Sequence, residues 1–325
     1  MSIAAYLREI GRGRDGARDL TRAQAADLMR ALLRGGVSDL ELGAWCVAMR
    51  YKGEAVEELA GFLQAVMEDC RPVPAGATPT VVLPSYNGAR RLPVLTPWLA
   101  LALAARGCRV IVHGQRDDPG GRLTSHAVLQ ELARHGLPVE FPHEAAGVGD
   151  RPGAFWLPTA ALHPGLQRLL DVRRTLGLRN SAHTLVKLLA PCPGALLVSS
   201  YTHPDYRERV SALLVQTGQW AMLLRGTEGE PVADPRRRPR IDIFEAGRPH
   251  TLCEAQPGVL PDVPELPDGR DRAATVAWTV AQLQAPQRSP EPLRFQLEAI
   301  VRLLQGRLRA DTPRQTTPHP ERSAA

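Results

Sequence analysis

Residues 83–116, LPSYNGARRLPVLTPWLALALAARGCRVIVHGQR, decide the predicted fold of this 325-residue chain. They continue an apolar strand pattern at 80–83 with a polar turn, an apolar helix and a second strand at 109–113, which is typical of a βαβ unit. Parallel strands of such a unit end at the same edge of a sheet, and open α/β sheets bind their ligands beyond that edge. The sequence therefore predicts a binding crevice at the turns 85–91 and 113–116.

These two turns carry positive charge and no carboxylate. Their basic side chains are Arg90, Arg91, His113 and Arg116. In addition, Gly88 at a strand-to-helix turn would let backbone amides approach an oxyanion, although a single glycine is a weak signal. We therefore expect the ligand of this crevice to be an anion.

The composition indicates a basic globular protein. At ~150 residues per domain the chain is long enough for about two domains, and 44% hydrophobic residues suffice for a core. The formal net charge is +6 and the pI is near 9.4, which favours polyanionic partners. Only Lys52 and Lys187 are lysines. Arginine grips phosphate through paired hydrogen bonds, but a genome rich in G and C would give the same arginine bias.

The cysteines and the apolar runs predict a location. Five cysteines lie far apart, with no CxxC pair and no His/Cys cluster, which indicates neither a disulfide framework nor a zinc site. The longest apolar run, 94–105, is shorter than the ~20 residues of a membrane helix, and the first residues do not have the pattern of a signal peptide. We therefore predict a cytoplasmic protein without a membrane span.

The chain is predicted to divide at the Pro/Gly-rich linker 71–79. Residues 1–71 have apolar positions at helical spacing and predict a helical domain. Residues 78–308 alternate strand and helix patterns and predict an α/β domain with a central, mostly parallel sheet. The polar tail, 309–325, has no apolar residues to add to a core and is predicted to be disordered.

The helical domain is predicted to contain four helices, two of which have clear start signals. A Ser or Thr followed three residues later by Glu or Gln fits a capping box, and the two pairs are Thr21 with Gln24 and Ser38 with Glu41. The apolar faces of such helices would cover either a partner subunit or the chain's own sheet. The sequence does not choose between these two arrangements.

The second half of the chain adds two basic segments. Arg179 precedes a predicted helix on which His183 and Lys187, four residues apart, share a face. The arginine run 236–238 is bounded by prolines, which predicts an extended and exposed segment. Such a run is either solvated surface or a nucleic-acid contact.

Several enzyme classes lack their sequence signals here. The chain has no nucleophile elbow, no Walker loop and no dinucleotide-binding fingerprint. Enzymes that hold a polyphosphate commonly use carboxylates to carry magnesium, and the predicted crevice turns contain no paired acids. We therefore expect arginines alone to hold the anion.

Five short segments resemble one known family. They are residues 85–90 (SYNGAR), 112–114 (VHG), 179–185 (RNSAHTL), 203–206 (HPDY) and 226–230 (GTEGE). In this order they look like the YbiB family, homologues of anthranilate phosphoribosyltransferase, and the resemblance covers nearly the whole chain up to the tail. It implies an anthranilate phosphoribosyltransferase-like α/β fold, in which helices near 165–190 join the helical domain. It also implies a homodimer formed through that domain.

The phosphate-binding loop of the transferase departs from its pattern in this chain. Where the enzyme has GTGGD for the pyrophosphate, the crevice has degenerated to Ser85, Tyr86, Asn87 and Gly88, followed by Ala89. The resemblance implies that Tyr86 fills space the pyrophosphate would need. The enzyme's phosphate-binding lysine aligns with Val112.

The metal-binding and acceptor segments also depart from the family's enzymes. The magnesium-binding Asp-Glu pair aligns with Pro231 and Val232, which leaves Glu228 or Glu230 as alternative ligands. In the segment that binds the aromatic substrate, the enzyme's asparagine is His183 and its Gly-Pro is 186–187. Arg179 alone persists there.

These departures predict binding without catalysis. A metal that neutralises a leaving group contributes several kcal/mol to catalysis, so its loss should cost orders of magnitude in rate. The resemblance implies nucleic-acid binding, DNA included, without marked sequence preference, no catalytic residue and no cofactor. The residues predicted to bind phosphate are Lys52, Arg90, Arg91, His113, Arg116, Arg179, His183 and Lys187. The alternative is a glycosyl or phosphoribosyl transferase with an altered substrate, which would use magnesium.

Overall fold

A computed structural model describes residues 2–13 and 15–311 of the chain. Its central element is an eight-stranded sheet. The strands are β1 (Thr80–Ser85), β2 (Arg109–Gly114), β3 (Val139–Glu140), β4 (Gly153–Pro158), β5 (Leu196–Tyr201), β6 (Ala221–Arg225), β7 (Ile241–Glu245) and β8 (Arg248–Cys253). The predicted βαβ unit is therefore present.

Helices cover both faces of this sheet. They are α1 (Ala4–Ile10), α2 (Arg22–Leu33), α3 (Asp39–Lys52), α4 (Val56–Glu68), α5 (Thr96–Ala104), α6 (Ser125–Arg134), α7 (Thr159–Leu162), α8 (Pro164–Leu176), α9 (Ala182–Leu185), α10 (Pro204–Thr217), α11 (Arg272–Gln284) and α12 (Glu291–Asp311). None of the helices in the described ranges is long and apolar enough to cross a membrane.

The strand order places a binding crevice between β1 and β5. The order across the sheet is β3-β4-β2-β1-β5-β6-β7-β8. All pairs from β3 to β6 are parallel, whereas β7 and β8 pair antiparallel at one side. From β1 the chain runs to the β2 side and later returns to the other side at β5. In an open α/β sheet, ligands bind beyond the carboxyl ends of the strands at such a reversal.

Burial on both faces explains the apolar character of the central strands. Successive residues of β1 alternate between two cores, with Val82 in one and Val81 and Leu83 in the other. Helix α5, which is buried at every position of Thr96–Ala104, fills the second core together with parts of α6, α11 and α12. A helix that is apolar on all sides needs such a fully buried place.

The first core joins the helical layer to the sheet. It contains Leu28 of α2, Phe62 of α4 and Leu185 of α9 together with Ile111 and Leu197 of the sheet. The helices at the start of the chain therefore pack on the chain's own sheet, which was one of the two arrangements open from the sequence. Both predicted capping boxes are confirmed, because Thr21 and Ser38 each accept a hydrogen bond from the backbone nitrogen three residues on, at the start of α2 and α3.

The structure departs from the sequence predictions for two segments. The arginine run 236–238 was predicted to be extended and exposed, and this is wrong: the run lies in a turn and its three side chains are half-buried. Nearby carboxylates hold it there. At the end of the chain, α12 continues to Asp311 and so includes the first three residues of the predicted disordered tail. The remainder of that tail, 312–325, lies outside the described residues.

Candidate functional site

A cavity of about 1270 Å³ opens at the carboxyl ends of β1, β5 and β6. The loops after these three strands line it, at Asn87 and Arg90, at Thr202 and His203, and at 226–229. The end of α3 and the segment around α9 supply the opposite side. The cavity therefore occupies the position that the strand order predicts for a ligand.

The turn after β1 forms a set of inward-pointing donors that we call the cradle. The backbone nitrogens of Asn87 and Gly88 donate to Oε1 of Glu230 at 2.6 and 3.1 Å. The hydroxyls of Ser85 and Thr96 donate to Oε2 of the same carboxylate, the latter at 3.1 Å. Glu230 is only 1% exposed. Four donors that would suit a bound oxyanion are thus occupied by the protein's own carboxylate.

Gly88 is required in this turn for two reasons. Its φ is +66°, in the left-handed region, and an added Cβ would lie 2.8 Å from the carbonyl oxygen of Leu123. A side chain at this position would be strained and would displace the backbone opposite. The glycine that the sequence marked as a sign of anion binding therefore shapes the turn around Glu230.

Glu228 closes the same loop from its other end. Its Oε1 accepts hydrogen bonds from the backbone nitrogens of Arg91 and Leu92, both at 3.2 Å. Glu228 itself adopts a positive φ of 55°. Together, Glu228 and Glu230 fasten residues 85–92 to the loop after β6.

The residues at this loop do not fit magnesium. Pro231 and Val232 have no ligand atoms in their side chains, and the carboxylates of Glu228 and Glu230 accept backbone and hydroxyl hydrogen bonds instead. Within residues 2–13 and 15–311, no group of three or more His, Cys, Asp or Glu is placed to hold a metal ion. The alternative ligands considered from the sequence are therefore already bonded within the protein.

Two aromatic rings lie against the cradle. Tyr86 is 3% exposed and packs edge-on against His183, with ring centroids 5.1 Å apart. Burial and the nearby Arg179 lower the pKa of His183 to about 3, so this imidazole is neutral at pH 7. His183 lines the cavity, as predicted, but it contributes no positive charge there.

Six cations line the cavity without an ion pair to any carboxylate of the described residues. We call them the open cations: Arg50, Arg90, Arg179, Lys187, Arg207 and Arg225. Arg50, Arg90 and Arg225 are exposed, and the other three are half-buried. Burial and neighbouring arginines, first among them Arg173, lower the pKa of Arg179, whose Nη2 donates to Oδ1 of Asn87 at 2.6 Å.

Among the six open cations, Lys187 has a pKa far below the ordinary value of its side chain. Burial and the positive charge of Arg179 lower its pKa to about 8, against a smaller opposite effect of Glu230. Close to neutral pH the protein itself therefore stabilises this ammonium only weakly. An anion in the cavity would supply the missing stabilisation.

Four other arginines of the cavity are held by carboxylates, and we call them the paired arginines. They are Arg236 and Arg237, which contact Asp234 at 2.9 and 3.1 Å; Arg238, which contacts Glu291; and Arg240, which contacts Asp242 and Glu254 at 2.9 and 2.8 Å. This pairing neutralises most of the run that looked most basic in the sequence. It also explains why the run is half-buried.

Half of the residues predicted to bind phosphate do not line the cavity. Lys52 contacts Asp19 at 2.5 Å and Glu58 at 2.6 Å, and its side chain is 6% exposed. His113 is fully buried; its Nε2 donates to the carbonyl of Leu189 at 3.0 Å, and burial lowers its pKa to about 4. Arg91 and Arg116 are exposed but lie outside the cavity lining. Arg90, Arg179, His183 and Lys187 are the predicted residues that the structure brings together.

The sequence reasoning missed several basic residues of this region. Arg225 ends β6, so the same carboxyl-end argument that selected Arg90 would have found it. Arg50 and Arg207 reach the cavity from α3 and α10, and no sequence pattern places those helices there. Beside the cradle, Arg173 contacts Asp118 at 3.2 Å, and Arg122 contacts the same carboxylate at 3.9 Å.

Comparison with known proteins gives relatives over nearly the full length. The family described as glycosyl transferase family, helical bundle domain, matches residues 4–70. The uncharacterized protein YbiB of Escherichia coli (strain K12) is 38% identical over 305 residues, which cover 93% of this chain and 94% of that protein. Anthranilate phosphoribosyltransferase 2 of Streptomyces coelicolor is 28% identical over 266 residues, 80% of this chain and 78% of that one.

Solved structures of anthranilate phosphoribosyltransferases share the fold. The enzyme from Thermus thermophilus aligns with a TM-score of 0.62 at 22% identity, covering 89% of this chain and 84% of that one. The enzyme from Saccharomyces cerevisiae, in complex with PRPP and Mg, aligns with a TM-score of 0.65 at 13% identity, covering 94% and 90%. At these identities the likeness extends to the fold alone.

Proposed function

This chain belongs to the YbiB family, with the anthranilate phosphoribosyltransferase fold, and from that premise we propose that it binds nucleic acid without sequence preference and does not transfer phosphoribose. One observation carries the proposal. At a single edge of the sheet, the donors of the cradle are bonded to Glu230, while the six open cations have no carboxylate partner in the described chain.

The open cations suit a phosphate backbone. Arginine and lysine that lack a carboxylate partner can neutralise successive phosphates, and contacts of this kind carry no information on base sequence. The half-exposed ring of Tyr206 lines the same cavity, 38% exposed and adjacent in sequence to Arg207. A base freed from pairing can stack on such a ring, which favours a single strand in the cavity.

Transfer from an activated ribose is disfavoured by the same geometry. The leaving pyrophosphate needs charge neutralisation by metal ions and a loop of free amides. Here the amides of Asn87 and Gly88 are bonded to Glu230, and Pro231 and Val232 replace the acids expected from the family's enzymes. Both requirements fail at once.

We also propose that the protein is a homodimer, formed through the helical layer. Leu40, Val47 and Tyr51 of α3 are 84%, 40% and 89% exposed. Their spacing places them along one face of the helix, and exposed apolar faces of this kind commonly mark interfaces. Sedimentation of wild type and of the double variant Leu40→Asp, Tyr51→Asp tests this: we expect a dimer and a monomer, and a wild-type monomer would contradict it.

Two measurements on the purified protein test the main proposal. In a mobility-shift titration with unrelated single-stranded sequences, we expect similar affinities that weaken as salt rises. In thermal unfolding, we expect phosphoribosyl pyrophosphate to act only as an anion on the open cations, so that added magnesium does not increase the shift of the midpoint. A midpoint that magnesium raises further, together with no mobility shift of any oligonucleotide, would favour the transferase instead.

A further inference from the structure

The two lysines of this chain have opposite environments. A lysine ammonium has three donors, and Lys52 uses all of them: Nζ contacts Asp19 at 2.5 Å, Glu58 at 2.6 Å and the carbonyl of Gly53 at 3.0 Å. With three acceptors packed around this nitrogen, no electrophile can approach it. Lys52 is therefore an inert amine.

Lys187 is held at its backbone and left unbonded at its side chain. It follows α9 in a short helical turn, and its carbonyl accepts a hydrogen bond from the Ser199 hydroxyl at 2.9 Å. Its side chain lines the cavity, and within the described residues its Nζ has no hydrogen bond or ion pair. A fixed backbone thus presents an amine to an open space.

The charged and titratable groups around Lys187 favour its neutral form. Arg179 repels the ammonium, His183 one turn earlier is neutral, and the carboxylate of Glu230 is bonded to the cradle. Together with burial, Arg179 outweighs Glu230 and lowers the pKa of Lys187 to about 8. At pH 7 about one such amine in ten is neutral, compared with roughly one in 2500 for an ordinary lysine. Desolvated lysines of this kind are nucleophiles.

The cavity also provides a place for an anionic leaving group. Arg179 lies near Lys187, Arg90 lines the same cavity near Arg179, and neither arginine has a carboxylate ion pair in the described chain. A phosphate docked on these guanidiniums would share the cavity with the neutral amine. Small acyl phosphates carry a phosphate and a reactive carbonyl in one molecule.

We propose that Lys187 is an acylation site that takes the acyl group of a small acyl phosphate bound by the open cations beside it. The neutral Nζ attacks the carbonyl carbon and a C–N bond forms. The bond between the carbonyl carbon and the bridging oxygen of the phosphate breaks. Inorganic phosphate leaves with the electron pair of that bond, and the extra proton on nitrogen passes to water. The product is an amide without charge.

The chemistry at Lys187 does not depend on nucleic-acid binding, but its consequence rests on the proposed function. Acylation removes one of the six open cations. It should therefore weaken binding of a single strand and reduce its salt dependence by about one contact. Acyl phosphate level would in this way control the affinity of the protein.

Peptide mass spectrometry of the full chain treated with acetyl phosphate at pH 7 tests the proposal. We expect Lys187 to be acetylated at least about tenfold faster than Lys52, and inorganic phosphate to slow the reaction by competition. N-hydroxysuccinimidyl acetate, which has no phosphate, should also prefer Lys187 but should be insensitive to added phosphate. Equal rates at the two lysines, or labelling by acetyl phosphate that phosphate does not slow, would overturn the proposal.

Matched variants separate docking from reactivity. Arg179 also lowers the pKa of Lys187, so each rate with acetyl phosphate is divided by the rate with N-hydroxysuccinimidyl acetate. Arg179→Gln should lower this ratio severalfold, whereas Arg240→Gln, which alters a paired arginine of the same cavity, should not. Equal ratios in the two variants would contradict docking on the open cations. Because labelling is scored without nucleic acid, it stands or falls apart from the proposed function. If oligonucleotides bind and acetylated protein binds them unchanged, the regulatory consequence is refuted.

Discussion

Two regions of the cavity rim differ in how they use the same kinds of groups. At the end of β1, the donors of the cradle and the carboxylates of Glu228 and Glu230 are bonded to each other. At the segment after α9 and beyond the ends of β5 and β6, Lys187, Arg207 and Arg225 line the cavity without a carboxylate ion pair in the described residues. The cradle is complete without a ligand, whereas these cations, and Arg90 next to the cradle, are not.

This difference shows why residue type alone does not identify a binding site. The arginine run 236–238 and Lys52 have the same kinds of side chain as Arg179 and Lys187, but nearby acids form ion pairs with them. Exposed or half-buried cations cost little to leave unpaired in water, and they gain most when a polyanion arrives. We therefore expect a polyanion to bind at the cations that no carboxylate of the described residues neutralises.

The largest effect is expected for the cradle. Glu230→Ala removes an acceptor that four donors share and leaves them buried, so the free energy of unfolding should fall by about 3 kcal/mol. Inorganic phosphate should restore part of the loss, because the donors can bind an oxyanion. Urea denaturation with and without phosphate measures both. Glu245→Ala, at an exposed carboxylate, serves as the control, and equal stability of the two variants would show that the cradle is not held by Glu230.

The next largest effect is expected for the open cations. The double variant Arg179→Gln, Lys187→Gln should bind a single-stranded oligonucleotide about 10- to 100-fold more weakly at fixed salt, since it loses two phosphate contacts. Arg240→Gln should change the affinity less than about threefold, because its charge is already compensated. Fluorescence anisotropy gives both dissociation constants. Equal losses would mean that pairing within the protein does not decide which cations bind.

A smaller effect on stability is expected at Gly88. Gly88→Ala places a Cβ at positive φ and against the carbonyl of Leu123, which should cost about 2 kcal/mol. Gly13→Ala, at another positive φ but with open space around the new Cβ, should cost less and provides the matched comparison. Thermal unfolding ranks the two variants. A harmless Gly88→Ala would mean that the turn does not need its tight packing.

The smallest effect is a pH dependence of binding. A bound phosphate favours the ammonium of Lys187, so its pKa rises on binding and affinity must fall as pH increases through about 8. Between pH 7 and 9 we expect the wild type to lose roughly threefold to tenfold in affinity. Lys187→Arg, whose guanidinium stays charged, should show a flat profile over that interval. A wild-type profile as flat as that of the variant would exclude a phosphate contact at Lys187.

Much of the fold could be predicted because its signals are local. Capping boxes at Thr21 and Ser38, and apolar strand patterns on either side of α5, depend on residues a few positions apart. The carboxyl-end argument placed the turn after β1, with Arg90, at the crevice, whereas the turn 113–116 after β2 lies outside the cavity lining. Arg179 and Lys187 were selected from a predicted helix and from the family resemblance.

The rest depends on contacts between distant parts of the chain. Glu230 bonds to Asn87, 143 residues away, and Lys52 bonds to Asp19, 33 residues away; no periodic pattern predicts either contact. The pairing of the arginine run is different, because Asp234 lies two residues before Arg236 and could have been taken into account. Charge runs should therefore be judged together with their flanking acids.

The salt dependence of oligonucleotide binding tests the central claim most directly. If the six open cations contact phosphates of a single strand, a plot of log affinity against log salt concentration should fall with a slope of about −4, and the double variant Arg179→Gln, Lys187→Gln should reduce that slope by about one to two. A protein that ignores oligonucleotides at low ionic strength but releases pyrophosphate from phosphoribosyl pyrophosphate would contradict the account.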